Sequence, residues 1–207
     1  MIPVRRVPEP NQFDAKARKP GNAWLSANSN AKRPHDFWSS FLPELRGGFD
    51  DLCAYAAMLD PTGGTVDHYL SFKNRPDLAY EWSNYRFASQ VLNASKKTVD
   101  DAVLDPYEIR PGWFRILLPS LQLELTDKVP PRLRPKALYT ITRLKLRDGE
   151  KIVRWRRQWY ELYERGDLTL DGLRRVAPLL AAAVEANRST NSRARSKRKR
   201  RRGAQQR

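Results

Sequence analysis

Apolar residues recur at helical spacing through Asp36-Phe37-Trp38-Ser39-Ser40-Phe41-Leu42-Pro43-Glu44-Leu45, and Asp36 stands where a helix needs an N-cap. The pattern predicts a helix from Asp36, ended by Gly47-Gly48. A second short helical stretch is expected from Phe49 to Leu59, closed by the turn signal Pro61-Thr62-Gly63-Gly64. The period then changes. Thr65-Val66-Asp67-His68-Tyr69-Leu70 is β-branched and aromatic, which suits a short strand because such side chains pack well on a pleated surface. A polar loop, Ser71 to Pro76, leads to a short extended segment, Leu78 to Trp82. Ser83-Asn84 then offers an N-cap to a helix running from about Tyr85 to Lys97.

Further along, Trp113 to Leu118 and Leu121 to Leu125 read as the two strands of a hairpin. Arg134 to Tyr163 has the pattern of a long Arg-rich amphipathic helix, interrupted near Asp148-Gly149. A last helix is expected from Thr169 to Ala186, broken or kinked at Pro178 because proline lacks the N–H that the ladder needs. Residues 1–35 are rich in Pro, Asn, Lys and Arg and read as an extended arm, with Trp24 and Leu25 as its anchor points. The expected organisation is therefore an arm (1–35), a core (36–125), a basic helical region (126–187) and a basic disordered tail (188–207). The fold class expected is α+β, mainly helical.

Composition narrows the partners. The chain of 207 residues carries a net charge of +16, which favours a polyanion through counterion release. From Arg188 onward there are ten Lys or Arg and no acid, which leaves +6 on the rest, so the body is basic in its own right. Six Trp, eight Tyr and seven Phe argue against general disorder. No apolar run approaches the roughly 18 residues of a membrane span, and Met-Ile-Pro-Val-Arg-Arg lacks the apolar stretch of a signal peptide. A cytoplasmic setting without membrane contact is expected. The single cysteine, Cys53, and the two histidines, His35 and His68, cannot build a four-ligand structural zinc site of the usual Cys and His types.

The candidate chemistry lies in Asp67-His68, Asn84, Asn93 and Lys96. Hydrolysing a phosphodiester requires an activated water, a divalent metal to offset charge on the scissile phosphate and a positioned acid or cation for the leaving oxygen. Asn93 and Lys96 are three apart on the expected helix and so share a face. Asp67 and His68 are neighbours on a strand and point to opposite sides, so one site can use both only if the strand twists or bulges there.

Val66-Asp67-His68, Asn84 and Asn93-Ala94-Ser95-Lys96 together resemble the motif of the HNH (ββα-metal) nucleases, including the HNH domain of RNA-guided CRISPR effectors. The spacings, 16 from His68 to Asn84 and 9 from Asn84 to Asn93, are typical of that family, and the likeness covers about residues 52–106. It implies that His68 is the general base and that Asp67 and Asn93 hold one Mg²⁺ or Mn²⁺. It also implies that Asn84 braces the loop that orients the His68 imidazole, and that Lys96 lies near the phosphate. Many members carry two Cys-x-x-Cys pairs for a structural zinc. Here Cys53-Ala54-Tyr55-Ala56 lacks the second Cys of the first pair, and Ser89 and Leu92 stand where the other pair belongs. A zinc-less variant is expected, with Ala56, Ala88 and Leu92 filling the space.

The Pro-rich N-terminus, Trp82-Ser83-Asn84-Tyr85 and Asp105-Pro106 are also similar to small bacterial HNH proteins of anti-phage defence systems, which implies partners within such a system. The resemblance implies an endonuclease acting on DNA, nicking as a monomer because one site cuts one strand. The alternative, from a different class, is a basic nucleic-acid-binding protein without catalysis. Either way, Arg143, Lys145, Arg147, Lys151, Arg154, Arg156 and Arg157, with Trp155 and Trp159 interleaved, are expected to grip the phosphate backbone. Lys197, Arg198, Lys199, Arg200, Arg201 and Arg202 would add sequence-independent contacts.

Overall fold

A computed structural model describes residues 1–189, an α+β arrangement with two small antiparallel sheets. Asp14–Arg18 leads directly into α1 (Lys19–Ala27), and a 3₁₀ turn at Ser39–Phe41 leads into α2 (Leu42–Gly48). Asp36 is the N-cap of neither element; its Oδ1 accepts the N–H groups of Trp38 at 3.1 Å and Ser39 at 2.9 Å in the bend that precedes them. The α-helix itself starts later than expected. Pro43 is confined to its first turn, since deeper in a helix the ring would strike the carbonyl four residues back.

The helical stretch expected over Phe49 to Leu59 does not form. Leu52 to Met58 is buried throughout, which leaves no polar face for a surface helix. Its backbone instead joins the strands. Ala54 N–H donates to Phe87 O at 2.8 Å, Cys53 N–H to Met58 O at 2.9 Å, and Leu52 bridges Leu59.

β1 (Thr65–His68) pairs antiparallel with β2 (Tyr85–Ala88) in the register Thr65 with Ala88, Val66 with Phe87, Asp67 with Arg86 and His68 with Tyr85. The helix expected from Tyr85 is thus a strand for its first four residues, and α3 begins only at Gln90 and ends at Lys96. Tyr85-Arg86-Phe87-Ala88 is buried on both faces, a setting that suits a paired strand. Ser89, not Asn84, is the N-cap, its Oγ accepting from Leu92 N–H at 3.3 Å. The chain order is strand, strand, helix, with α3 packed on β1.

The second hairpin forms where expected, β3 (Phe114–Leu117) against β4 (Gln122–Leu125). The long basic helix is two helices, α4 (Arg134–Arg143) and α5 (Glu150–Glu164). Gly149 is required at the break, because a Cβ there would lie 2.5 Å from Lys145 O. α6 (Leu170–Val176) and α7 (residues 178–189) meet at the break expected before Pro178. Arg156 is not part of an exposed basic face. It is 2% exposed and donates to the carbonyls of Leu121 (2.9 Å), Arg147 (3.2 Å) and Leu146 (2.6 Å), which ties α5 to the second hairpin and to the α4–α5 connection.

Residues 1–10 carry no helix or strand and pack along the body through Met1, Val4 and Val7, whereas Asp14–Ala27 is helical rather than extended. Phe13 is fully buried, with its ring 5.2 Å from that of Phe41, 5.1 Å from Trp82 and 5.7 Å from Tyr85. Ala17 and Gly21 follow at one-turn intervals, and a Cβ on Gly21 would lie 2.3 Å from the Tyr80 ring. This stripe, rather than the half-buried Trp24 and Leu25, fixes the segment to the core. Lys197, Arg198, Lys199, Arg200, Arg201 and Arg202, with the rest of the expected tail beyond residue 189, lie outside the described residues.

Candidate functional site

β1 is regular, each residue facing one partner on β2, so no bulge brings Asp67 and His68 to one side. Asp67 turns inward. Its Oδ2 accepts from Tyr55 Oη at 2.6 Å, and its Oδ1 accepts from Lys96 Nζ at 3.1 Å. The Lys96 side chain has no exposure and that of Asp67 only 1%. Lys96 Nζ also donates to His68 O at 2.9 Å, and the ammonium lies 5.7 Å from the centre of the Tyr69 ring. A carboxylate and an ammonium removed from water to this degree are tolerable only when paired and hydrogen-bonded, as here. Burial and the neighbouring Asp67 carboxylate push the Tyr55 hydroxyl well above its ordinary pKa, so it stays protonated and donates.

His68 faces the other side, edge-on to Trp38 (4.7 Å) and Tyr85 (5.0 Å). Its Nε2 lies 2.8 Å from Ala79 O, an acceptor only, so Nε2 carries the proton and the neutral ring keeps its lone pair on Nδ1. Burial lowers the His68 pKa below its ordinary value, outweighing the opposing pull of the Ala79 carbonyl and of Asp67. The Ala79 carbonyl is itself held, accepting from Tyr85 Oη at 2.7 Å.

Asn84 braces this loop. Its Nδ2 donates to Leu70 O (2.9 Å) and Leu78 O (3.1 Å), and its Oδ1 accepts from Leu70 N–H at 2.8 Å. One buried amide thereby holds the start of the 69–84 loop to its later part and fixes the peptide next to Ala79. Asn93 and Lys96 share the face of α3 that meets β1, and Asn93 Nδ2 donates to Val66 O at 3.2 Å. Asp105 lies elsewhere, in a buried two-pronged pair with Arg86 at 2.7 Å for each bond, while the Arg86 guanidinium sits 4.0 Å from the Tyr107 ring centre.

Cys53, Ala56, Ser89 and Leu92 are all buried, and Cys53 Sγ accepts from Ser89 N–H at 3.3 Å. Burial raises the Cys53 thiol pKa, and the other three positions offer no further thiol or imidazole. Arg154 and Arg157 on α5 are exposed, Arg143 at the end of α4 is half-buried, and Lys145, in the turn between the two helices, is exposed. Trp155 and Trp159 are half-buried and pack against the core.

Tyr55 and Ala79 are the members of this site that motif spacing does not mark. Tyr55 lies in a segment that resembles a zinc loop, and Ala79 contributes only its carbonyl. Comparison with protein-family models finds no match, and comparison with curated proteins finds none.

Proposed function

We propose that the chain hydrolyses phosphodiester bonds of DNA as an HNH-type nuclease in which His68 is the general base. The observation that carries this reading is the His68 tautomer. With Nε2–H committed to Ala79 O, Nδ1 keeps its lone pair, and burial keeps the ring neutral near pH 7. Nδ1 takes a proton from water, the water oxygen attacks phosphorus, and the bond to the leaving oxygen breaks as that oxygen takes a proton from solvent. Asn84 keeps the loop, and so the imidazole, in place. The strand-strand-helix order and the contact of Cys53 with Ser89 support the same reading, whereas Lys96, fully buried on Asp67, does not stand near a phosphate as the resemblance implies. The net charge of +16 supplies the attraction for a polyanion.

Mg²⁺ or Mn²⁺ on Asp67 and Asn93 does not fit this arrangement. Asp67 is 1% exposed, its oxygens already serve Tyr55 and Lys96, and the Lys96 ammonium provides the charge a cation would bring. Asn93 leaves one neutral oxygen, whereas a hard cation takes several oxygen donors. Among the described residues no cluster of three or more His, Cys, Asp or Glu could hold a metal ion.

The completeness of the Asp67–Lys96–Tyr55 group favours a second reading, a nucleic-acid-binding protein in which the same residues only stabilise the fold. Supercoiled plasmid with wild-type and His68→Gln protein separates the two, with Mg²⁺ and in EDTA. Nicking by the wild type alone supports the nuclease. A DNA gel shift without nicking by either protein supports the binding protein.

A further inference from the structure

Between the start of α3 and the first half of α5 lies a cavity of about 280 Å³, close to the lower end of small-ligand pockets. Asp60, Gln90, Val91, Lys151, Trp155 and Gln158 are among the residues that line it. A second cavity of about 300 Å³ continues from it, lined in part by Lys145, Gly149 and Glu150. The two share Val91, Lys151 and Ile152, so they form one groove. Of the five buried side-chain polar atoms without a hydrogen-bond partner among the described residues, two belong to residues of this groove, Asp60 Oδ2 and Trp155 Nε1. Asp60 is 3% exposed, and its other oxygen is engaged by Thr62 N–H (2.9 Å) and Thr62 Oγ1 (2.7 Å). Buried polar groups are nearly always paired, so an acceptor and a donor left over beside one cavity point to a ligand that supplies both complements.

We propose that this groove binds one nucleotide of a nucleic-acid strand, with its base beside Asp60 and Trp155 and its phosphate at the start of α5. The inference rests on the nucleic-acid reading above and names where that strand is held. Adenine, cytosine and guanine each carry an exocyclic amino group that can donate to Asp60 Oδ2, and a ring nitrogen or carbonyl that can accept from Trp155 Nε1–H. Uracil and thymine match the same pair through N3–H, which can donate to Asp60 Oδ2, and a ring carbonyl, which can accept from Trp155 Nε1–H. Val91, 47% exposed, offers apolar surface to a base face. α5 has fifteen residues and no side-chain cap; the Ile152 N–H is taken by Gly149 O at 2.9 Å, which leaves the Glu150 and Lys151 N–H groups open to a phosphate, with the Lys145 and Lys151 side chains alongside. Of the two acids at that end, Glu150 is paired with Arg154, and Asp148 is exposed two residues before the helix.

The test is calorimetric titration of the full chain with AMP, CMP, GMP, UMP and inorganic phosphate, on wild type, Trp155→Phe and Lys151→Glu. Each of the four nucleotides should bind at least about fivefold more tightly than inorganic phosphate, the effect of one good hydrogen bond to the base. Trp155→Phe keeps a ring but removes the donor and should weaken all four several-fold. Lys151→Glu, a change at an exposed position, should weaken all four nucleotides. Binding of phosphate as tight as of the nucleotides, or unchanged affinities in both variants, would overturn the proposal. A gel shift of a DNA duplex is run beside it. Normal DNA binding with no mononucleotide binding defeats the groove alone, whereas no binding of either defeats the nucleic-acid reading as well.

Discussion

Replacing Lys96 by Met keeps the length and apolar stem of the side chain and deletes the ammonium that balances Asp67. The remaining carboxylate is 1% exposed and keeps only the Tyr55 hydroxyl as a side-chain donor. Removing one partner of a buried pair costs about 3–5 kcal/mol, because the other charge is left uncompensated. For a chain of this size each kcal/mol lowers Tm by roughly 2–4 °C, so Lys96→Met should lose about 6–20 °C. Urea unfolding followed by tryptophan fluorescence measures the free energy directly. Adding Asp67→Asn removes the stranded charge, and the double variant should recover about half of the loss or more. Tyr55→Phe in the wild-type background should cost about 1.5–3 kcal/mol, as expected for a hydrogen bond to a charged acceptor. A Lys96→Met protein within about 1 kcal/mol of wild type, or a double variant no better than the single, would refute the buried pair.

The lowered His68 pKa gives a signed pH effect. The folded state disfavours the protonated ring, so this contribution to stability is fully present above pH ~6.5 and is lost as pH falls through the lower folded value. Wild type should therefore lose stability below pH ~6.5 more steeply than His68→Gln, and the acidic limb of any nicking activity should have its midpoint below pH ~6.5; a midpoint above it would contradict the buried base. Asn84→Ala strips partners from Leu70 N–H, Leu70 O and Leu78 O and should cost about 3 kcal/mol in urea unfolding. Nicking should fall with it, assayed well below the melting temperature. Arg154→Ala with Arg157→Ala, two exposed positions, should weaken DNA binding. The slope of log affinity against log salt should flatten by up to about 0.9 for each phosphate no longer neutralised, measured by fluorescence anisotropy at several salt concentrations.

What sequence reasoning recovered depends on how local the cause is. The hairpin at Phe114–Leu125, the break near Gly149 and the stop before Pro178 follow from turn and proline chemistry within a few residues. Tyr85 to Ala88 reads as the start of a helix because Ser83-Asn84 resembles a cap, yet pairing with β1, seventeen or more residues away, makes it a strand. Leu52 to Met58 misleads in the same way, since its partner Phe87 is distant in the chain. At the site, the pairing of Asn93 and Lys96 was legible from helical spacing, and the brace role of Asn84 from the motif. The inward turn of Asp67 was not legible, because it depends on Tyr55 and on a regular β1 that only the folded register defines. Arg156 was likewise indistinguishable from its exposed neighbours until the carbonyls of Leu121, Leu146 and Arg147 came to surround it.

The most direct test of His68 as the general base is plasmid nicking by wild-type and His68→Gln protein at equal DNA occupancy, set by a parallel gel shift. Glutamine keeps a polar side chain of similar reach but cannot take the proton. Nicked circles from the wild type and none from the variant, with equal DNA binding, is the result this account predicts. Equal nicking by both proteins would contradict it.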